Sequence, residues 1–311
     1  MEPELKGQSI RLHAAEAWGR LDVFVSQQTV SITRSRAQRL IQNGLVAVND
    51  LPCKSRQPVH AGDSVTIHIP DDTIPLRPEA LPLKVLYEDS EVIVIDKPPG
   101  IVVHPAPGHE EHTLVNALLA RYPGLDSGDV MRPGIVHRLD KDTSGVMIVA
   151  RNADVREWLI SQFKCGAVRK VYLALVAGRL TSDGTIDGPI GRHPVHRKKM
   201  AIVPFGKPAR TDYSVVEQFD EFTLIEARPL TGRTHQIRVH FASIGHPVAG
   251  DLTYAQRSSW RHLGPVLQRH FLHASSLRLK LQYWTDEREF SSPLPDDLKD
   301  VLSLARRLSQ Y

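Results

Sequence analysis

The segment "IVHRLDKDTSGVMIVAR" (135–151) sets Asp140 between Arg138 and Lys141, with Asp142, Thr143 and Ser144 close behind and an apolar run after them. A carboxylate so placed has two readings. It is a solvated charge in a turn entering a strand, or it is held ionised by cations and serves as nucleophile or base. Spacing alone leaves both open. The second charged unit, "RPLTGRTHQIRVH" (228–240), crowds cations and imidazoles around a turn and a helix start, where free N–H groups attract anions. Arg238 stands beside the apolar positions Ile237 and Phe241, so it is expected to point inward and to need a carboxylate partner. The competing reading is a surface arginine with a buried stem.

Metal chemistry is not expected. His235 and His240 are five residues apart, not the i, i+4 pair that puts two imidazoles on one helix face, and no H-E-x-x-H occurs. Cys53 and Cys165 are distant and form no C-x-x-C, which fits a reducing compartment without a disulfide framework. Tyr172, between Val171 and Leu173, is either a half-buried strand tyrosine or a surface on which an unstacked base rests. The loop "GRHPVHRKK" (191–199) is a solvated basic face or a grip on a phosphate backbone.

Several elements must position these groups. Residues 20–70 read as a small module with two helices. In "RLDVFVSQQ" the apolar face is Leu21, Phe24 and Val25; in "TRSRAQRLIQNG" it is Ala37, Leu40 and Ile41, with Thr33 as cap and Gly44 as stop. Arg36 and Arg39 project together from the second helix, and "LVAVND" and "DSVTIHIP" read as strands. "PDDTIPLRPEALP" (70–82), with four prolines, reads as a linker. Beyond it strands and helices alternate irregularly. "EVIVID", "GVMIVAR", "RKVYLALVAGR", "FTLIEARPL" and "SLRLKL" read as strands, and "TLVNALLARYPG", "DVREWLISQFKCG" and "THQIRVHFASIG" as helices. Thr113 is expected to cap the first of these helices, and Asp154 with Glu157 the second. Such an order favours an α+β domain with a central sheet.

The bulk numbers agree. The chain has 311 residues, 41% hydrophobic and 24% charged, which is ordinary for a globular protein with a sizeable core. No apolar run approaches the roughly 18 residues of a membrane span, and no leader pattern precedes the module, so a soluble cytoplasmic protein is expected. Net charge is +4 and pI about 9.1, a mild lean towards a polyanion. The lean is local. Residues 1–80 carry nine Lys/Arg against nine Asp/Glu, yet residues 34–56 hold Arg34, Arg36, Arg39, Lys54 and Arg56 against Asp50 alone.

Taken together and in this order, the blocks resemble one family. "HRLDKDTSG" (137–145) is similar to the signature of the RluA-type pseudouridine synthases. "DKPPGIVVHPAPGH", "RKVYLALV", "RKKMA", "PLTGRTHQIRVH", "GHPVAGD" and "FLHASSLRL" stand in the family's order, and the N-terminal module resembles an S4 RNA-binding domain. The resemblance covers about residues 18–298; the first 17 match nothing, and "GDLTYAQ" lacks the family's glycine after its tyrosine. It implies an α+β fold with a mixed, largely antiparallel central sheet and flanking helices. The implied order is an extension (1–17), an S4-like domain (18–70), a linker (71–82) and a catalytic domain (83–311).

The resemblance also implies roles. Asp140 aligns with the essential aspartate, and Arg238 with the basic residue paired to it. Tyr172 aligns with the tyrosine that packs on the flipped base and is a candidate for removing the C5 proton. Arg138 aligns with the arginine entering the RNA stack. His137, Arg233 and His235 are expected at the substrate, and Arg34, Arg36 and Arg39 at RNA phosphates. The reaction cuts N1–C1′ of a uridine, rotates the base and rejoins it through C5, which calls for no metal, cofactor or redox change. The expected partner is RNA, with large-subunit (23S) ribosomal RNA or a pre-ribosomal particle foremost, and neither a membrane nor an obligate protein partner. The same chemistry on transfer RNA or another RNA is the alternative, and two other readings compete: a magnesium-dependent phosphatase using "DKDTSG", and a non-catalytic RNA-binding ribosome assembly factor. The first sits poorly with the sequence, because its motif ends an apolar strand, whereas here the apolar strand follows.

Overall fold

A computed structural model describes residues 9–29, 32, 34–69, 76–105, 109–125, 132–264 and 266–309. The chain forms two compact units, Met1–Ile74 and Pro75–Tyr311.

The first unit contains β1 (Ser9–His13), α1 (Leu21–Gln28), α2 (Arg34–Gln42), β2 (Val46–Val48), β3 (Leu51–Pro52) and β4 (Ser64–His68). Its sheet has the order β1-β4-β2-β3, and Phe24, Val25, Ala37, Leu40 and Ile41 of the helices pack on Val46, Val65 and Ile67. Gly44 leaves α2 with φ +71, the left-handed turn that glycine adopts without cost. Thr33 lies outside the described residues. Two expectations change here. Residues 1–17 are not wholly an extension, because Ser9–His13 pairs antiparallel with Ser64–His68 and completes the sheet. The expected linker is shorter than 71–82: Leu76 packs against the second unit's core, and the Glu79 N–H donates to the Asn116 carbonyl at 3.0 Å.

The second unit runs β5 (Lys84–Glu88), β6 (Val92–Lys97), α3 (Leu114–Arg121), β7 (Ser144–Ala150), α4 (Ala153–Cys165), β8 (Arg169–Ala177), β9 (Gly184–Asp187), β10 (Ile190–Arg192), β11 (Met200–Ile202), β12 (Arg210–Gln218) and β13 (Phe222–Pro229). There follow α5 (Gln236–Ser243), a 3-10 helix (Arg257–Leu263), β14 (Leu272–Leu279), β15 (Arg288–Ser291) and α6 (Asp296–Leu308). Nine strands form the sheet in the order β5-β6-β7-β14-β8-β13-β12-β9, with β15 also on β14. Every pairing is antiparallel except β7 with β14, so the sheet is mixed and largely antiparallel as expected. No helix among the described residues is long and apolar enough to cross a membrane.

Alternation along the strands feeds two layers. Val92, Val94, Val146 and Ile148 face Val155 and Leu159 of α4, while Ile93, Ile95, Met147 and Val149 face Leu114, Val115 and Leu118 of α3. Covered on both sides, β6 and β7 need the continuous apolar runs that the sequence provides. Further along, Leu175 and Leu224 meet α6, and Ala174, Val176 and Ile225 meet Ile237 and Phe241 of α5. Thr113 caps α3 within a capping box. The start of α4 differs from expectation. Asn152, not Asp154, accepts from the Val155 N–H at 2.9 Å, so Asp154 falls in the first turn, where the helix dipole favours a negative charge.

The parallel pair is short, His273 with Ser144 and Ala274 with Gly145. Gly145 has φ +118, and a Cβ there would lie 2.2 Å from the Ala274 carbonyl oxygen. Gly145→Ala is therefore expected to combine backbone strain with a backbone clash. It should lower stability by on the order of 3 kcal/mol, read as a lower urea midpoint at unchanged slope.

Candidate active site

The turn before β7 is tied down on every side. Its own bond runs from the Thr143 N–H to the Asp140 carbonyl at 3.1 Å, and the Lys141 carbonyl accepts from the Gly100 N–H at 2.9 Å. Lys97, fully buried, donates to the carbonyls of Pro98, Ile101 and Lys141 at 2.8, 3.0 and 3.0 Å. Burial pulls its ammonium down to about 7, against the pull of Asp142 and Asp140. From the other flank Arg269 donates to the Asp142 carbonyl at 2.8 Å while pairing with Asp297 at 2.7 Å. Thr143 and Ser144 bond His270 and His273 at 2.8 and 3.0 Å. With its backbone so held, the turn presents the Asp140 carboxylate to a cavity of about 560 Å³.

Arg238 reaches that carboxylate from α5. Its Nη1 donates to Asp140 Oδ2 at 2.8 Å, while Nε and Nη2 grip both oxygens of Asp251 at 2.6 and 2.8 Å. A further bond goes to Thr253 Oγ1 at 3.1 Å, and the guanidinium lies 5.3 Å from the centre of the Tyr254 ring. The inward arginine thus has its expected carboxylate, plus a second, Asp251, that residue spacing does not assign. Burial alone would push the Asp140 carboxyl up; His235, Arg238 and His270 outweigh it and hold the group below the usual carboxylate range. His235, 3.8 Å from Asp140 through Nε2, is itself drawn down by burial, so at neutral pH the charge that keeps Asp140 ionised is the arginine's. The other His235 nitrogen meets the Tyr254 hydroxyl at 2.7 Å, and that hydroxyl accepts from the Met200 N–H at 3.0 Å. Burial would lower Arg238, but its bonds to Asp251 and the two carboxylate charges raise it instead.

Tyr172 lines the same cavity from β8, and its hydroxyl has no hydrogen bond among the described residues. Burial and then the Asp140 charge push its pKa well up, so it is a neutral phenol. Arg138 is exposed and lines the cavity, and Arg233 lines it while donating to the Pro208 carbonyl at 3.1 Å. His235 starts α5 with φ +56, a conformation strained for a residue with a Cβ. The next residue, buried Gln236, fixes that start: it accepts from Thr231 at 2.6 Å and from the Arg233 N–H at 3.0 Å, and donates to the Arg210 carbonyl at 3.0 Å.

His137 lines the cavity, and its ring is also held by the protein. Its Nε2 accepts the Ile148 N–H at 3.0 Å and its ring stacks on Phe163, centroids 4.6 Å apart, so it tethers the turn to β7 and α4. Burial lowers it to about 3, and the ring stays uncharged. In the first unit Arg34 is also committed. With Arg20 and Gln38 it surrounds the fully buried Asp22, Arg34 Nε lying 3.1 Å from Oδ2, and the cluster joins α1 to α2. Arg36 and Arg39 lie exposed on α2.

Seven arginine or lysine side chains line the cavity against one carboxylate, Asp140. A profile described as RNA pseudouridylate synthase matches residues 91–243, and one described as S4 domain matches residues 19–65. An uncharacterized RNA pseudouridine synthase of Chloroflexus aurantiacus is 46% identical over 294 residues, covering 94% of this chain and 92% of that one. The chain belongs to the RNA pseudouridine synthase family. Another synthase of the family, ribosomal large subunit pseudouridine synthase D of Nitrosomonas europaea, is 44% identical across 93% of this chain and 85% of its own. Among solved structures, human RNA pseudouridylate synthase domain containing 1 superposes with a TM-score of 0.57 at 30% identity, covering 73% of this chain and 96% of that one. The synthase is accordingly an isomerase that acts on RNA.

The charge assignment has a pH consequence. With its carboxyl lowered, Asp140 is ionised above its folded pKa and loses that charge only as pH falls through it. Replacing Arg238→Gln together with Asp251→Asn removes both charges of the buried pair, so that only His235 and His270 still oppose burial at Asp140. The acid limb of kcat should then move to higher pH than in the wild type. An acid limb at the wild-type position would show that Arg238 does not set the ionisation.

Proposed function

We propose that this enzyme converts uridines of large-subunit (23S) ribosomal RNA to pseudouridine in the cytoplasm, with Asp140, Tyr172 and Arg238 as its working set. The observation that carries the reading is a single ionised carboxylate in a cavity whose other charged walls are cationic. The cations match a polyanionic chain, and the carboxylate is left for chemistry on the sugar or base. The named activity of the Nitrosomonas europaea relative supports ribosomal RNA as the substrate.

Extruding the uridine costs a few kcal/mol of stacking and pairing. Arg138, exposed at the cavity, is suited to fill the gap, and the Tyr172 ring to receive the base. Asp140 then assists scission of N1–C1′, the uracil turns, and C5 bonds to C1′. The C5 proton must leave and N1 must gain one, so the sum of atoms is unchanged and no donor is needed. Being a neutral phenol, Tyr172 suits packing better than proton abstraction, and Asp140 is the ionised base in the cavity. Lowering of the Asp140 pKa by His235 and Arg238 keeps the carboxylate reactive next to phosphates, at the cost of holding two acids around one buried guanidinium.

Asp140→Asn should abolish pseudouridine formation in 23S RNA while RNA affinity stays within about threefold, since one rim charge among many changes. Turnover by that variant would sink the assignment. Pseudouridines mapped in ribosomal and transfer RNA with and without the enzyme identify the substrate; loss confined to transfer RNA would overturn the ribosomal reading. Arg36→Ala with Arg39→Ala should weaken RNA binding and reduce the slope of log K against log salt by about 0.7 for each phosphate no longer neutralised.

A further inference from the structure

Among the cations of the cavity, Lys170 has no part in the chemistry described above. It stands two residues before Tyr172 on β8, so both side chains leave the same face of the strand, roughly 6–7 Å apart along it. Both line the cavity. The two other buried cations of the site are well satisfied: Arg238 lies between two carboxylates, and Lys97 holds three carbonyls at 3.0 Å or less. Lys170 is different. Its ammonium makes one long bond, 3.4 Å to the Thr231 carbonyl, and no carboxylate pairs with it among the described residues.

Among the described residues the surroundings offer no counter-charge. Arg156 and Lys164 of α4 line the same cavity, and the His137 ring nearby is uncharged. Burial pulls the Lys170 ammonium down to about 8, with no acid acting against it. A half-desolvated cation without an anion is unfavourable to hold, and an arriving negative group offsets that cost. Lys170 thus faces the cavity beside Tyr172, the ring that receives the base. A uracil carbonyl, being neutral, would not compensate a full positive charge as a phosphate oxygen does.

We propose that Lys170 binds the backbone phosphate next to the flipped uridine and so fixes where its sugar stops relative to Asp140. The assignment rests on the reading of the cavity as a uridine site in RNA. It makes Lys170 a positioning residue, acting on the nucleotide's register and not on its bonds.

The test uses the full-length enzyme and a ribosomal RNA fragment containing its mapped uridine, made with one neutral methylphosphonate linkage either 5′ or 3′ to that uridine. Neutralising one of the two linkages should slow wild-type turnover, in kcat/KM, by on the order of tenfold, and the other should matter less. Lys170→Met on ordinary RNA should lose a similar factor, Lys170→Arg should keep most of the activity, and Lys170→Met should lose nothing more on the sensitive neutral linkage. Losses that multiply at both linkages, or a Lys170→Met enzyme as fast as wild type, would overturn the proposal. If neither neutral linkage slows the wild type, the proposal fails without any variant having to fold. A wild-type enzyme that modifies no uridine in ordinary RNA would instead overturn the functional reading beneath it.

Discussion

One guanidinium shared by a buried and a half-buried carboxylate sets the geometry of this enzyme. Arg238 cannot turn towards Asp140 without keeping its grip on Asp251, because its planar fork serves both at once. The arrangement brings together three segments: the turn before β7, the first turn of α5 and the loop holding Asp251. Burying such a cluster is a poor way to gain stability, since desolvation of the ions consumes most of their attraction, while loss of one member costs about 3–5 kcal/mol. What the cluster does give is an aspartate fixed in place and kept ionised at the wall of the cavity.

The turn that carries Asp140 has a related problem. Its backbone must enter the sheet beside β14 at Gly145, so its carbonyls cannot all be met by a ladder. Two cations meet them instead, Lys97 from β6 at Lys141 and Arg269 at Asp142, while two histidines take the hydroxyls of Thr143 and Ser144. These partners explain the polar residues inside an otherwise apolar layer: each is a donor or acceptor placed where the chain could not satisfy itself. At Lys141 and Asp142 these cations hold the backbone carbonyls, while the Asp142 charge favours the buried Lys97 ammonium.

Much of this is legible in the sequence where a single period or cap decides the outcome. The runs of β6 and β7, the Thr113 cap and the inward face of α5 each depend on residues within one or two turns of each other. The differences between expectation and structure have another origin. Asp154 has the spacing of a cap, but Asn152 reaches the Val155 N–H first. Residues 9–13 look featureless until β4 pairs with them. Helix α6 escapes notice although Leu298, Val301, Leu302 and Ala305 follow helical spacing behind Pro295, Asp296 and Asp297; its apolar face becomes meaningful only against Phe222 and Leu224. Asp251 closes the block "GHPVAGD", yet nothing local marks it as Arg238's partner. His137 and Arg34, expected at RNA, also bond protein groups that spacing does not disclose. Pairwise partners far apart in sequence are what single-chain patterns omit.

The short parallel contact between β7 and β14 also bears on how the enzyme comes into being. It joins Ser144 to His273 across 129 residues, and Arg269 reaches Asp142 across 127. Loops of that length close late and slowly, after local hairpins such as β5 with β6 or β12 with β13 have formed. Until β14 has left the ribosome, the turn bearing Asp140 lacks half of its supports. Catalytic competence is thus withheld from a growing chain and appears only when its C-terminal strands dock, so that the active site itself certifies a finished fold.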